Sequence, residues 1–211
     1  MGSLMDQNSA ETARLIGQAR GGDAAALNEL FARHRDRLRR MVEMRLDRRL
    51  QGRVDASDVI QESFLDAARK LDGYLRDRPM PFYPWLRQLA WERLVKLRRL
   101  HTADRRNVHR EERPELPDAS AVELAQRLVA SVTGPVQRLV REELWTRVRS
   151  ALDRLSAADR EVLILRHAEQ LSTREAAAVL GVSEAALKSR HLRALERLRE
   201  ALGGNPLEES S

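Results

Sequence analysis

Residues 171–198, LSTREAAAVLGVSEAALKSRHLRALERL, contain a single glycine that separates two kinds of helical sequence. Before Gly181 the residues are small and apolar, and after it they are long and basic. Ser172 and Glu175 have the spacing of a capping box at the start of the first helix, and Ser183 can cap the second. Gly181 can adopt the left-handed conformation with which helices commonly end. The stretch therefore predicts two helices joined by a tight turn.

Three residues of this stretch have the spacing of a helix-turn-helix. Ala177 is small where the two helices would cross, Gly181 stands at the turn, and Leu187 would pack the second helix against the first. The second helix of such a unit enters the major groove of DNA, where cationic side chains reach guanine edges or phosphates. We expect a DNA-binding face made of Arg174, Glu184, Ala185, Lys188, Ser189, Arg190, His191, Arg193 and, one turn further on and nearer the DNA backbone, Arg197.

The composition of the chain is typical of a helical protein that tolerates polyanions. Of 211 residues, 33% are charged and 4% are aromatic, and the formal net charge is +6. Many charges with few aromatic residues favour helices over a β-sandwich. A basic composition alone would also fit arginine replacing lysine on a solvated surface, so the placement of the charges has to decide.

The same composition argues against several classes of protein. The chain has no cysteine, which excludes a disulfide framework and a thiolate metal site. No apolar run approaches the roughly 20 residues of a membrane span, and the N-terminus, whose MGSLM is typical of a cloning scar, has no hydrophobic signal core. We expect a cytoplasmic protein without a cofactor, a metal ion or a membrane partner. The five histidines do not have the sequence spacing of metal ligands; they are His34, His101, His109, His167 and His191.

An acidic stripe is expected on one helix of the N-terminal half. This helix begins near Asp55, whose carboxylate can cap the first turn, and continues to about Leu71. Asp58, Glu62 and Asp66 recur every four residues along it, and like charges at that spacing repel one another. Either arginines of a neighbouring helix pair with the stripe, or the stripe is a docking face for a basic partner.

The next helix combines aromatic and basic side chains and follows a loop marked by Pro79, Pro81 and Pro84. Aromatic rings stack on unpaired bases while cations hold phosphates, which is the combination used to bind single-stranded nucleic acid. The alternative is an ordinary core helix with its tryptophans inward and its arginines in water. The candidate residues are Phe82, Tyr83, Trp85, Arg87, Gln88, Trp91, Arg93, Lys96, Arg98 and Arg99.

Two breaks divide the chain. An acidic segment with Pro114 and Pro117 is typical of a linker, and Gly134-Pro135 marks a second break, after which helical periodicity resumes. A further capping box, Ser156 with Asp159, predicts another helix start. We predict an all-α fold of two helical domains joined by an extended acidic linker: a tag-like tail at 1–10, an N-terminal domain at 11–108, the linker at 109–135, the helix-turn-helix domain at 136–203 and a C-terminal tail at 204–211.

These motifs together resemble the sigma-70 family of bacterial RNA polymerase initiation factors, in particular the small two-domain extracytoplasmic function (ECF) type. DASDVIQESFLDAARKLDGY, residues 55–74, is similar to region 2.2 of the family. FYPWLRQLAWERLVKLRR, residues 82–99, is similar to regions 2.3 and 2.4. Residues 152–202, which include the helix-turn-helix, are similar to region 4. The resemblance covers most of the chain, and it is most specific in regions 2.2 and 4.

The resemblance implies a promoter-specificity factor that is not itself an enzyme. It implies that region 2.2 docks on the clamp coiled coil of the polymerase β′ subunit through Asp58, Gln61, Glu62 and Leu65. Regions 2.3 and 2.4 would melt and read the minus-ten element, and region 4 would read the minus-thirty-five element. The implied partners are core RNA polymerase, with its β′ and β subunits, promoter DNA and an anti-sigma factor or other accessory protein, for a chain that is monomeric when free. The acidic linker would run toward the polymerase active site and RNA exit.

The minus-ten region departs from the common pattern of the family. Where many members have Ala-Arg-Asn and, four residues later, Asp, this chain has Ala90-Trp91-Glu92 and then Lys96. The minus-ten specificity of the family therefore does not carry over to this sequence.

Three other functions fit parts of the sequence. A stand-alone helix-turn-helix regulator explains the C-terminal half but leaves residues 55–100 unexplained, and it should dimerise on a palindrome. A metal-dependent hydrolase built on Asp58, Glu62 and Asp66 would have neither a histidine nor a second acidic cluster beside them. A purely helical adaptor would tolerate glutamate at Lys188 and Arg193, whereas an initiation factor would lose promoter binding.

Overall fold

The computed structural model of the chain describes residues 2–46, 54–77, 80–103, 118–132 and 138–203. Nine α-helices and one π-helical turn occur in these ranges, and no strand does, which confirms the all-α prediction. The helices are α1 (Gly2–Arg20), α2 (Ala24–Arg45), α3 (Ala56–Asp77), α4 (Phe82–Ala103), α5 (Asp118–Val132), α6 (Arg138–Arg154), α7 (Ala157–Leu163), α8 (Thr173–Leu180) and α9 (Glu184–Ala201), and the π-helical turn is Ile164–Ala168. Among the described helices, none has both the length and the apolar content of a membrane span.

Helices α1 to α4 form the N-terminal domain around a core of aliphatic side chains. Leu15, Leu30, Leu38, Ile60 and Leu86 are fully buried there. Burying such a side chain stabilises the fold by about 1.5–3 kcal/mol, so these residues hold the four helices together. Two carboxylates fix helix starts. Asp23 caps α2 by accepting from the backbone N–H groups of residues 25 and 26, and Asp55 accepts from the N–H of residue 57 at 2.8 Å, as predicted for α3.

Helices α5 to α9 and the π-helical turn form the C-terminal domain. The structure differs here from the predicted extended linker, because residues 118–132 form α5. Leu124, Ala125 and Val129 of this helix are buried in one cluster with Leu152 and Leu163. Apolar residues at positions 121, 124, 125, 128 and 129 have helical spacing, which the acidic residues and prolines before them obscured. The predicted tail also differs, since residues 2–10 belong to α1.

The helix-turn-helix is formed as predicted by α8 and α9. Ser172 Oγ accepts from the Glu175 N–H at 3.2 Å, and the Glu175 carboxylate accepts from the Ser172 N–H at 2.8 Å, which completes the capping box. Gly181 has φ 63°, a left-handed conformation that a side chain would strain. Ser183 caps α9 by accepting from the Ala186 N–H at 3.1 Å. These contacts fix the angle between the two helices.

The predicted box at Ser156 is only half formed. Ser156 Oγ accepts from the Asp159 N–H at 3.1 Å and caps α7. The Asp159 carboxylate accepts from the Ser156 hydroxyl at 2.8 Å and from the guanidinium of Arg197. Aspartate is one methylene shorter than the glutamate of a full capping box, so its carboxylate is better placed for these side chains. Of the other predicted breaks, Pro79, Pro114, Pro117, Gly134-Pro135 and the acidic residues 109–117 lie outside the described residues.

Candidate functional site

Helix α9 exposes five basic side chains, of which Arg190, Arg193 and Arg197 follow one another at helical spacing along one side. The helix packs through Leu187, Ala194 and Leu198, which are buried. Of the predicted DNA-binding residues, Arg174 lies on α8 and the others lie on α9. The exposed ones are Arg174, Glu184, Ala185, Lys188, Ser189, Arg190, Arg193 and Arg197, and His191 is half-buried. The structure therefore leaves all nine predicted residues at least partly accessible, and helical geometry places Lys188 on another side of α9 from Arg190 and Arg193.

Two of these residues also hold α9 against the rest of its domain. Arg197 forms an ion pair with Asp159 at the start of α7. The Nε2 atoms of His191 and His167 are 2.9 Å apart, so one ring donates a hydrogen bond to the other. Burial lowers the pKa of both histidines, which favours the neutral rings that this contact requires. Arg197 and His191 therefore orient the helix.

An exposed leucine on α9 was missed by the sequence analysis. Leu192 is 59% exposed and lies between the basic residues His191 and Arg193. A single exposed leucine is common on protein surfaces and does not by itself mark a contact surface.

A second candidate surface lies at the N-terminal half of α3. Asp58, Gln61 and Leu65 are exposed, Leu65 by 52%, and Glu62 is half-buried. A shallow cavity of about 430 Å³ opens beside Asp58, Gln61 and Glu62, against Arg93 of α4. The predicted polymerase-binding residues therefore form one patch that combines negative charge with an apolar side chain.

The acidic stripe of α3 has partners for two of its three members. Arg93 pairs with Glu62 at 3.1 Å, and Arg69 pairs with Asp66 at 3.5 Å. For Glu62, the structure therefore agrees with the alternative in which an arginine of a neighbouring helix pairs with the acidic stripe. In the described part of the chain, no three His, Cys, Asp or Glu side chains are grouped so that they could hold a metal ion.

The aromatic residues at the start of α4 are buried. Trp85 stacks on Tyr74 with ring centroids 4.4 Å apart, and Phe82 contacts both rings within the N-terminal core. The core-helix alternative therefore accounts for the packing of Phe82 and Trp85. Tyr83 and Arg87 are also buried. Tyr83 contacts His34 and Arg37 of α2, whereas Arg87 reaches Glu169 of the C-terminal domain. The remaining candidates of α4 reach solvent: Gln88, Lys96 and Arg99 are exposed, and Trp91, Arg93 and Arg98 are half-buried.

A buried ion-pair network joins the two domains. Arg45, at the end of α2, donates to Glu169 at 2.9 Å and holds both oxygens of Glu161 at 2.8 Å. Arg87 of α4 holds both oxygens of Glu169, at 2.6 and 2.9 Å. The side chain of Glu169 is 0% exposed. Sequence reasoning missed this network because its members are 82 to 124 positions apart.

The π-helical turn places Glu169 in this network. The Glu169 N–H donates to the Ile164 carbonyl at 2.8 Å, five residues back, which ends the turn with the side chain directed at the arginines. Burial opposes ionisation of Glu169, but the charges and hydrogen bonds of Arg87 and Arg45 outweigh it and lower its pKa to about 2. Glu169 is therefore ionised in the folded chain.

A second interdomain pair lies about two turns of α2 away from the first. Arg37 of α2 holds both oxygens of Glu175 at 2.8 and 2.9 Å. The guanidinium of Arg37 also lies over the Tyr83 ring, 3.7 Å from its centroid. Glu175 thus has two roles, since it completes the cap of α8 and ties α8 to the N-terminal domain. Burial opposes the ionisation of Glu175, but the hydrogen bond from Arg37 and the charge of Arg37 outweigh burial and lower the pKa of Glu175.

A neutral histidine is buried next to this pair. The His34 ring is 5.5 Å from Phe82 and 5.8 Å from Tyr83, and its Nε2 has no hydrogen-bond partner among the described residues. Burial, together with the nearby charge of Arg37, lowers the pKa of His34 from 6.5 to about 4.

We expect the stability of the chain to fall as the pH falls from 6.5 to 4 because of His34. In that interval the unfolded chain gains a proton on this residue and the folded chain does not. Well below pH 6.5 each pH unit costs about 1.4 kcal/mol, and the loss between pH 6.5 and 5 is about 1.6 kcal/mol. Urea unfolding at both pH values, in the parent and in His34→Asn, measures this loss. An equal loss in the variant would assign the effect to other groups.

Comparison with known proteins assigns both halves of the chain to a family. The family model for sigma-70 region 2 matches residues 30–103, and the model for sigma-70 region 4 matches residues 145–198. These spans contain the α3 patch with α4 and the helix-turn-helix, respectively. The chain therefore belongs to the sigma-70 family of RNA polymerase sigma factors, and within it to the ECF group. It is a transcription initiation factor that directs RNA polymerase to promoters.

Individual relatives match over most of the chain. RNA polymerase sigma factor CnrH of Cupriavidus metallidurans is 33% identical over 190 residues, which cover 89% of this chain and 92% of that protein. ECF RNA polymerase sigma factor SigD of Mycobacterium tuberculosis is 31% identical over 188 residues, which cover 89% of this chain and 82% of that protein. The solved structure of CnrH in complex with the cytosolic domain of CnrY is similar with a TM-score of 0.52 at 27% identity, covering 91% of this chain and 97% of that one.

Proposed function

We propose that this initiation factor contacts promoter DNA through α9 and α4 and docks on core polymerase through α3. The observation that carries the proposal is the set of exposed basic side chains of α9 on a fully formed helix-turn-helix. The chain acts by binding alone, without catalysis of its own, and it works in the cytoplasm, where its polymerase is. We also propose that it is monomeric when free.

Helix α9 would read the minus-thirty-five element in the major groove. Lys188, Arg190 and Arg193 are exposed and long enough to reach base edges, and each bidentate contact supplies about 1–3 kcal/mol of discrimination. Leu192 adds an apolar contact suited to a thymine methyl group. Contacts to phosphates would make the affinity fall with salt.

The α4 surface would bind single-stranded DNA of the minus-ten region. Gln88, Lys96 and Arg99 are exposed for contacts to bases and phosphates. Arg87 would join them when its bonds to Glu169 open, and Tyr83 would join them when Arg37, released from Glu175, moves off its ring. Phe82 and Trp85 would support this surface from the core beneath it.

The α3 patch would bind the β′ clamp coiled coil. Leu65 offers an apolar anchor, and the carboxylates of Asp58 and Glu62 offer charge to a basic partner. The relative CnrH has been solved with the cytosolic domain of CnrY bound, so we propose that this chain too has a protein regulator, of the anti-sigma kind or another.

The test is run-off transcription with purified core polymerase, with and without this protein, on fragmented DNA from its own genome. We expect discrete transcript starts that need the protein and share two spaced upstream elements. Absence of new starts, together with tight binding to duplex DNA without polymerase, would support the stand-alone regulator instead.

A further inference from the structure

We propose that three glutamates of the C-terminal domain form a releasable latch on the N-terminal domain, and that the latched chain is a closed state unable to use all of α4. The latch glutamates are Glu161, Glu169 and Glu175, and the arginines that they engage are Arg37, Arg45 and Arg87. The latch follows from these contacts alone. Its effect on DNA binding rests on the proposed function of α4.

The charges of the latch are divided cleanly between the two domains. All three arginines come from α2 and α4, and all three glutamates come from α7, the residue after the π-helical turn and α8. Both oxygens of each glutamate lie within 3.0 Å of a guanidinium nitrogen. Such paired, bidentate geometry specifies one relative position of the domains.

Ionic contacts of this kind hold a closed state without making it permanent. The attraction within a buried ion pair is largely offset by the cost of removing its two charges from water, so its net contribution to the stability of the closed state is small. When the domains separate, both partners regain hydration. The apolar part of the interface, which includes Leu165, Leu171 and Ala176 in one cluster with the N-terminal core, adds to closure without depending on charge.

The closed state occupies side chains that the proposed function needs. Arg87 donates hydrogen bonds to both carboxylate oxygens of Glu169. The ring of Tyr83 is covered by the guanidinium of Arg37, and Glu175 holds this guanidinium in place. Neither side chain can contact a nucleotide in this arrangement. The five basic side chains of α9 stay exposed, so closure affects the two DNA surfaces differently.

The experiment measures the distance between the domains directly. The chain has no cysteine, so Ala68→Cys in α3 and Glu200→Cys in α9, both exposed, can carry a donor and an acceptor dye for energy transfer in single molecules. The latch variant replaces Glu161, Glu169 and Glu175 by glutamine. Glutamine at 175 still completes the capping box, so α8 keeps its start.

A matched control separates closure from total charge. Glu29, Glu43 and Glu143 are exposed and lie outside the latch, and their replacement by glutamine changes the net charge by the same amount. Glu161→Gln alone is the second variant. Because Glu161 is partly exposed and Glu169 keeps both arginines, this change leaves the fold intact and should give a smaller shift in the same direction.

We expect the latch variant to lose most of the high-transfer population and the control to keep it. Both are then titrated with an oligothymidine of about 15 nucleotides, a sequence-neutral probe for base stacking. If about nine molecules in ten are closed at first, release tightens apparent binding about tenfold relative to the control. Unchanged energy transfer in the latch variant would overturn the latch. Opening without tighter binding would establish the latch and reject the proposed DNA contacts of Tyr83 and Arg87.

Discussion

Replacing Lys188 and Arg193 together by glutamate should abolish transcription from a promoter that depends on this protein. Both side chains are exposed on α9. Loss of two contacts at about 2 kcal/mol each lowers promoter affinity about 10³-fold, before the repulsion between the new carboxylates and DNA phosphates is added. Run-off transcription and promoter binding by the reconstituted polymerase measure the effect.

The control for this variant reverses two charges elsewhere. Lys70 of α3 and Arg154 of α6 are exposed and outside the proposed interfaces, so Lys70→Glu with Arg154→Glu makes the same change in net charge. We expect the control to transcribe at close to the parent rate. Transcription by Lys188→Glu/Arg193→Glu at the rate of the control would remove α9 from promoter recognition and favour the helical adaptor.

The second large effect is expected at the α3 patch. Asp58→Lys with Leu65→Lys should weaken binding to core polymerase about 10²–10³-fold, since one change inverts a charge and the other places an ammonium group where an apolar anchor is needed. Both side chains are exposed, so the fold should tolerate the change. Titration of labelled protein with core polymerase measures the affinity.

Asp77→Lys is the control for the charge inversion at position 58, since it makes the same change in net charge as Asp58→Lys. Asp77 is an exposed aspartate at the other end of α3, about a third of a turn around the helix from Leu65. It should bind polymerase like the parent. Equal weakening by Asp58→Lys/Leu65→Lys and by the control would mean that net charge, and not this patch, governs the affinity.

Local signals in the sequence were enough to predict the helix-turn-helix. The capping box of Ser172 and Glu175, the left-handed Gly181 and the cap at Ser183 each depend on residues no more than three positions apart. Such contacts are determined mainly by the chain itself, and tertiary packing then preserves them. Helical spacing likewise predicted that Leu187 is buried while Lys188, Arg190 and Arg193 are exposed, as the structure has them.

What the sequence analysis missed depends on distant parts of the chain. The composition of α4 does not say whether Trp85 faces water or Tyr74, because that choice is made by the packing of α3 against α4. The same holds for Glu169, which looks like an ordinary surface glutamate until the fold brings Arg45 and Arg87 to it. Helix α5 was missed for another reason, since acidic residues and prolines hid its apolar spacing.

The π-helical turn has a consequence for how this protein is compared with its relatives. A π-helical turn holds one residue more than the α-helical turn that it replaces, so it is equivalent to a single-residue insertion within a helix. A relative without that insertion would have its counterpart of Glu169 rotated by about 100° about the helix axis, away from both arginines. Conservation of a glutamate in an alignment column is therefore not enough to infer the interdomain ion pairs, because helix length between α7 and α8 must match as well.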